Sequence, residues 1–109
     1  MIGKSQLAYS DPVSDELFKA LADPTRRVIL DELHERSGQT LFELCARLAT
    51  RHRLGISRQA VSQHLAALEK ADLVRSRREG RYKFHDMNPE PLGLIVERWP
   101  GPNPRESDS

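Results

Sequence analysis

After Lys70 the spacing of apolar residues changes from that of a helix to that of a strand, and this change fixes the order in which the chain has to be assembled. Leu73 to Arg78 and Arg81 to His85 flank Glu79-Gly80, with Tyr82 and Phe84 on one face, which predicts a two-stranded hairpin. Before it, apolar residues recur at helical spacing in successive stretches. Leu17, Phe18 and Leu21 form the first, Val28, Ile29, Leu30 and Leu33 the second. Leu41, Leu44, Cys45 and Leu48 form the third, and Val61, Leu65 and Leu68 the fourth. After the hairpin, Leu92, Ile95, Val96 and Trp99 fall at i, i+3, i+4 and i+7, so a last helix is expected.

Local chemistry sets the ends of these segments. Ser14 caps the first helix, and Asp15 and Glu16 suit the positive end of its dipole. Asp23-Pro24 opens the second, because Asp is a good N-cap and proline lacks an N–H where none is needed, and Ser37-Gly38 stops it. Thr40-Leu41-Phe42-Glu43 is a capping box. A polar stretch, Thr50 to Arg53, separates the third helix from Ser57, the cap of the fourth, with Ile56 and Val61 as a hydrophobic staple. Asn88-Pro89 is the expected start of the last helix and Pro100 its end. Residues 1–13 are expected to be a flexible arm, residues 14–99 one domain and residues 100–109 a disordered tail.

Charge then separates the segments by partner. From Arg51 to His85 there are nine basic residues against Glu69, Asp72 and Glu79, a net of +6, although the whole chain carries only +1. The segments on either side are net acidic, so a polyanion would be drawn to the middle of the chain. A single cysteine, Cys45, excludes an intrachain disulfide and a zinc finger. The absence of a long apolar run excludes a membrane span, and a cytoplasmic location is expected. No nucleophile with a base, convergent carboxylates or glycine-rich phosphate loop occurs at usable spacing, so the chain is not expected to be an enzyme or to need a cofactor.

Helices followed by a basic hairpin make a mainly α chain with the order of a winged helix-turn-helix. Rotating ~100° per residue away from Val61, Leu65 and Leu68 leaves Gln59, Ser62, Gln63 and Ala66 on the opposite side of the fourth helix, with Arg58 and His64 on its flanks. Gln and Arg can pair bidentately with adenine and guanine, so Ser57, Arg58, Gln59, Ser62, Gln63 and His64 are the expected contacts to double-stranded DNA. Arg75, Arg77, Arg78, Arg81 and Lys83 arm the hairpin for phosphate or minor-groove contacts. A winged helix that binds protein would expose an apolar face there instead, and Gln59, Ser62 and Gln63 argue against it.

The runs Phe18-Lys-Ala-Leu-Ala-Asp-Pro-Thr-Arg-Arg-Val-Ile-Leu30, Ser57-Arg-Gln-Ala-Val-Ser-Gln-His-Leu65 and Val74-Arg-Ser-Arg-Arg-Glu-Gly-Arg-Tyr-Lys-Phe84 together resemble the ArsR family of bacterial repressors. The resemblance spans Leu17 to Trp99 and implies a homodimer on an operator, its recognition helix in the major groove and its first and last helices in the dimer. Leu17, Phe18, Leu21, Leu92, Ile95, Val96 and Trp99 are the apolar residues placed to build that seam; for the last four the alternative is core, and Trp99 beside Pro100 favours the seam.

Departures from the family pattern carry expectations too. Metal-sensing members have a Cys-x-Cys pair where this chain has Cys45-Ala46-Arg47, and the last helix offers only Glu97 as a ligand, so no metal is expected. His34, His52, His64 and His85 have no i, i+4 pairing that would suggest a site. Cys45 has two readings, an inert core thiol or a redox sensor, with no basic neighbour on its helical face to lower its pKa. Ala49 to Leu54 resembles an insertion relative to a tight helix-turn-helix, and Asp72 stands where a glycine more often ends the helix.

Overall fold

In the computed structural model the residues described are 13–102, and they form five helices and one hairpin: α1 Asp15–Leu21, α2 Pro24–Glu35, α3 Leu41–Arg51, α4 Arg58–Lys70, β1 Val74–Glu79, β2 Tyr82–Met87 and α5 Glu90–Arg98. The caps act where the sequence places them. Ser14 accepts from the Leu17 N–H, Asp23 from Thr25 and Arg26, and Ser57 from Ala60. Thr40 and Glu43 close their box reciprocally. Arg26 and Arg27 then donate to the Lys19 and Leu21 carbonyls, so α2 adds donors to the last turn of the seven-residue α1. The start of the ordered domain moves by one residue. Val13, assigned to the arm, is only 2% exposed and packs in the core, whereas the rest of the expected arm and residues 103–109 of the tail lie outside the described residues.

Two helix ends differ from expectation. Ala49, Thr50 and Arg51, the first half of the expected insertion, continue α3 by most of a turn, and the chain reverses only at Arg53, whose φ is +54°. The amide of Leu54 donates back to the Leu48 carbonyl to secure that reversal. At the end of α4, Asp72 has φ +61°, Leu73 N–H bonds to the Leu68 carbonyl and Asp72 N–H to that of Glu69. This is a Schellman ending with aspartate in the place that glycine fills without strain. Its carboxylate is gripped by Arg75 through two bonds of 3.0 Å, and Asn88 donates to its carbonyl at 2.8 Å. Helix α5 starts one residue late, at Glu90, with Pro89 as its cap and the Asn88 side chain reaching the Glu90 N–H.

The core is one apolar cluster drawn from every helix stripe except that of α5, with Ile29, Leu33, Leu44, Leu48, Val61, Leu68 and Leu73 fully enclosed. Leu17, expected in the dimer seam, is 1% exposed and belongs to this core. Within it sits Glu32, a carboxylate 1% exposed. Gln39 donates to it at 2.8 Å, His52 lies 3.0 Å away, and Arg47 and Arg51 approach to 3.8 and 3.9 Å. Burial pushes its pKa up, but the bonds from Gln39 and His52 with the two guanidiniums outweigh that and hold it below the ordinary value. Arg47 and Arg51 therefore serve the junction of α2 and α3.

The hairpin is antiparallel, with Ser76 opposite His85 and Arg78 opposite Lys83. Its base is extended by a third segment, because Gln39 bridges His85 and accepts from both its backbone N–H, at 2.8 Å, and its ring Nδ1, at 3.0 Å. Gln39 thus touches Glu32 with its side chain and the hairpin with its backbone, joining the helices to β2.

Candidate nucleic-acid interface

Helix α4 has three differently used faces. Val61, Leu65 and Leu68 are buried, as their spacing requires. Gln59, Ser62, Gln63 and Ala66 are exposed, and among the described residues the polar ones have no hydrogen-bond partner in the protomer. Ser57 uses its oxygen as the helix cap, which leaves the hydroxyl hydrogen to donate. The third face, Arg58 and Glu69 together with Ser62 and Ala66 at its edge with the second, borders a groove shared with the hairpin and the start of α3. His64 departs from the expected set: its Nδ1 receives the Arg26 Nε at 3.2 Å, so it fastens α4 to α2.

The hairpin divides its five cations between two sides. On the outer side Arg75 pairs with Asp72 and lies 3.9 Å from Glu90. Arg77 pairs with Asp86 at 3.2 Å and Glu79 at 2.6 Å while stacking 5.1 Å from the Phe84 ring centroid. The carboxyl of Asp72 is lowered first by its bond from Arg75, and that of Asp86 first by Ser37 and then by Arg77, in each case against burial. Arg78, Arg81 and Lys83, at the tip and on the inner side, are exposed and have no acidic partner among the described residues. Of the five expected contacts, these three are presented to solvent with their charge unmatched.

Two residues that sequence reasoning did not single out belong beside this surface. Phe42 is 70% exposed and Tyr82 58%, both on the groove. Phe42 lies off the Leu41-Leu44-Leu48 stripe, which is the signal that could have flagged it. Cys45 is partly buried; burial raises its pKa, and Arg58, from the neighbouring helix, offsets part of the rise. Away from this surface, Phe18 and Trp99 approach to 6.3 Å between ring centroids, and Trp99 and Val96 are 59% and 61% exposed. Leu21, Leu92 and Ile95 are half-buried against the core, as is Leu94, which the helical stripe had not included.

No helix among the described residues is long and apolar enough to cross a membrane, and no group of three or more His, Cys, Asp or Glu there could hold a metal ion. Residues 21–77 match a helix-turn-helix domain family. The chain is 52% identical over 85 residues to the HTH-type transcriptional regulator YuzN of Bacillus subtilis (strain 168), covering 78% of this chain and 92% of that one. It is 34% identical over 74 residues to the transcriptional repressor SdpR of the same organism, covering 68% and 74%. The fold overlays an ArsR-like transcriptional regulator from Rhodococcus sp. RHA1 with a TM-score of 0.64 and 32% identity, over 90% of this chain and 78% of that one. With a partner-free polar face on the second helix of the motif and free cations on the wing beside it, the chain belongs to the ArsR family of winged helix-turn-helix, DNA-binding transcriptional regulators.

Proposed function

We propose that the protein is a repressor that binds an inverted-repeat operator as a homodimer. The observation that carries this reading is the pairing of a partner-free face, Gln59, Ser62 and Gln63, with the unmatched cations Arg58, Arg78, Arg81 and Lys83. A buried or structural role would have provided those groups with partners inside the protomer. The helix face reads base edges, and the cations hold the phosphates on either side. One helix in one groove reads too few base pairs to select a site in a genome, so two copies are required, with recognition helices ~34 Å apart.

Phe18, Leu21, Leu92, Ile95, Val96 and Trp99 form the apolar surface that supports a seam between copies. Repression is supported by the relative SdpR, which is a transcriptional repressor. Control by a metal in the α3 position is disfavoured, because Arg47 there is the ion-pair partner of buried Glu32. Footprinting across the promoter of its own gene, with sedimentation of the free protein, tests the whole reading. Protection of two half-sites one helical turn apart by a species of twice the protomer mass is expected; a monomer that binds one half-site equally well would refute it. Zinc or arsenite at one equivalent should leave the footprint intact.

A further inference from the structure

Between the start of α3, the third face of α4 and the wing lies a groove of about 910 Å³. Its apolar lining comes from Leu41, Leu65, Ala66 and, from the ladder side that carries Arg77, Phe84; Phe42 and Tyr82 stand beside them largely exposed. Arg58, Arg81 and Lys83 line it without acidic partners among the described residues. Of its two carboxylates, Glu43 is turned back to the Thr40 N–H at 2.9 Å to close the helix cap, which leaves Glu69. A phosphodiester backbone is polar along its length and finds no donor on Leu41, Leu65 or Phe84, so phosphate contacts alone do not account for this apolar lining. The volume lies in the ~300–1,000 Å³ range of small-molecule sites, and apolar walls with few convergent charges are what such sites share.

We propose that this groove binds a flat aromatic anion, of the arenecarboxylate class, and that its occupancy excludes operator DNA. The ring system would lie between Phe42 and Tyr82 against the edge of the Phe84 ring, whose face Arg77 covers, and its carboxylate would take the donors of Arg58 or Arg81, or of Lys83 across the strand edge, which the duplex also needs. Exclusion follows from that sharing and rests on the reading of α4 and the wing as the DNA face; the site itself does not.

The probe is 2-naphthoate, followed by amide shifts of the ¹⁵N-labelled protein without DNA. Saturable shifts at Phe42, Ser62, Ala66 and Phe84, reaching one equivalent per protomer, are expected. The uncharged 2-naphthamide, or the Arg81→Gln/Lys83→Gln protein, should bind about tenfold more weakly, as loss of a charge-assisted bond implies. Phe42→Ala, at a side chain too exposed to support the fold, should weaken binding as well. No saturation, shifts confined to Phe18, Val96 and Trp99, or equal affinity for the amide would overturn the site. Adding saturating 2-naphthoate to a complex with a selected duplex should release the DNA; a stable ternary complex would overturn exclusion. A protein that takes naphthoate in the groove but binds no duplex would refute the DNA reading and leave the site standing.

Discussion

The two sides of the wing carry the same kind of residue to opposite ends. On the outer side, Arg75 and Arg77 face Asp86 and Phe84 across the ladder and are tied to Asp72, Glu79 and Asp86. On the inner side, the row Val74, Ser76, Arg78 with Met87, His85, Lys83 starts buried in the core and emerges as two cations beyond its edge. A strand alternates its side chains, so adjacent arginines meet different neighbours. Net charge over a segment therefore overstates what a polyanion meets. Arg75 holds the wing to the end of α4 and Arg77 is paired within the wing, whereas the inner and tip cations have no acidic partner among the described residues.

The largest effect expected from this division is on affinity. Replacing Arg78, Arg81 and Lys83 together with Gln should weaken duplex binding by about a hundredfold, since three exposed, solvent-screened ionic contacts at ~1 kcal/mol each are removed. The slope of log affinity against log salt should fall by ~0.9 for each phosphate that is no longer neutralised, with thermal stability almost unchanged. Isothermal titration at several salt concentrations measures both affinity and slope. Equal weakening in the Arg75→Gln/Arg77→Gln protein would erase the distinction between the sides.

The converse substitution should act on the fold. Arg77→Ala removes two exposed ion pairs and the stacking on Phe84, and about 1 kcal/mol of stability should go with them, read by urea unfolding. Affinity for DNA should change by less than about threefold, within the range of one exposed charge.

A smaller effect sharpens the contrast by moving an arginine from one class to the other. Asp72→Asn keeps a side chain that tolerates positive φ and removes the charge that holds Arg75. Arg75 then retains only Glu90, at 3.9 Å, and DNA should bind about threefold more tightly, an amount typical of one exposed pair. Unchanged binding, with Arg75 mobile by relaxation measurements, would show that the outer side faces away from the duplex whatever its charge.

The smallest effect is on acid stability. Asp72 and Asp86 have folded pKa values below the ordinary 3.8, so their ion pairs stabilise the protein fully above that pH and are lost as pH falls through the folded values. Glu32, lowered from 4.5, adds to the same acid limb. Asp86→Asn should flatten the fall in melting temperature below about pH 4 relative to wild type. A fall that is as steep in the variant would remove Asp86 from the account.

What could be read along the chain follows the range of the interactions concerned. Ser14, Asp23, Thr40 with Glu43, and Ser57 cap helices through bonds to residues two or three away, and all act as their spacing suggests. The exposed face of α4 follows as directly from the position of Val61, Leu65 and Leu68. The pairing of Arg77 with Asp86 was out of reach, because it depends on the register of two strands, and the sequence had suggested a β2 that stopped at His85 rather than Met87. Arg26 and His64 are 38 residues apart, so helical spacing alone points His64 toward DNA and hides its bond to α2. Glu32 was legible in principle, since it lies beside Leu33 and three residues after Ile29 on the buried side of α2, but a charged residue is ordinarily solvated. Its partners come from the end of α3 and from Gln39, none of which a helical period reveals.

The bridge between Gln39 and His85 alters the mechanics of recognition. A hairpin joined to its domain only at its ends is a lever that swings about its base. Here the fulcrum is shifted toward the tip, because a third segment is bonded to the middle of β2, and lateral compliance is left only to the last pairs before Gly80. With the wing on the phosphates as proposed, a hairpin held this stiffly would not follow a backbone that runs at another pitch, and the strain of mismatch would pass to the duplex. Sites flanked by easily bent steps should then be favoured over stiff ones with identical contacted bases, a preference that circular-permutation bending assays would read.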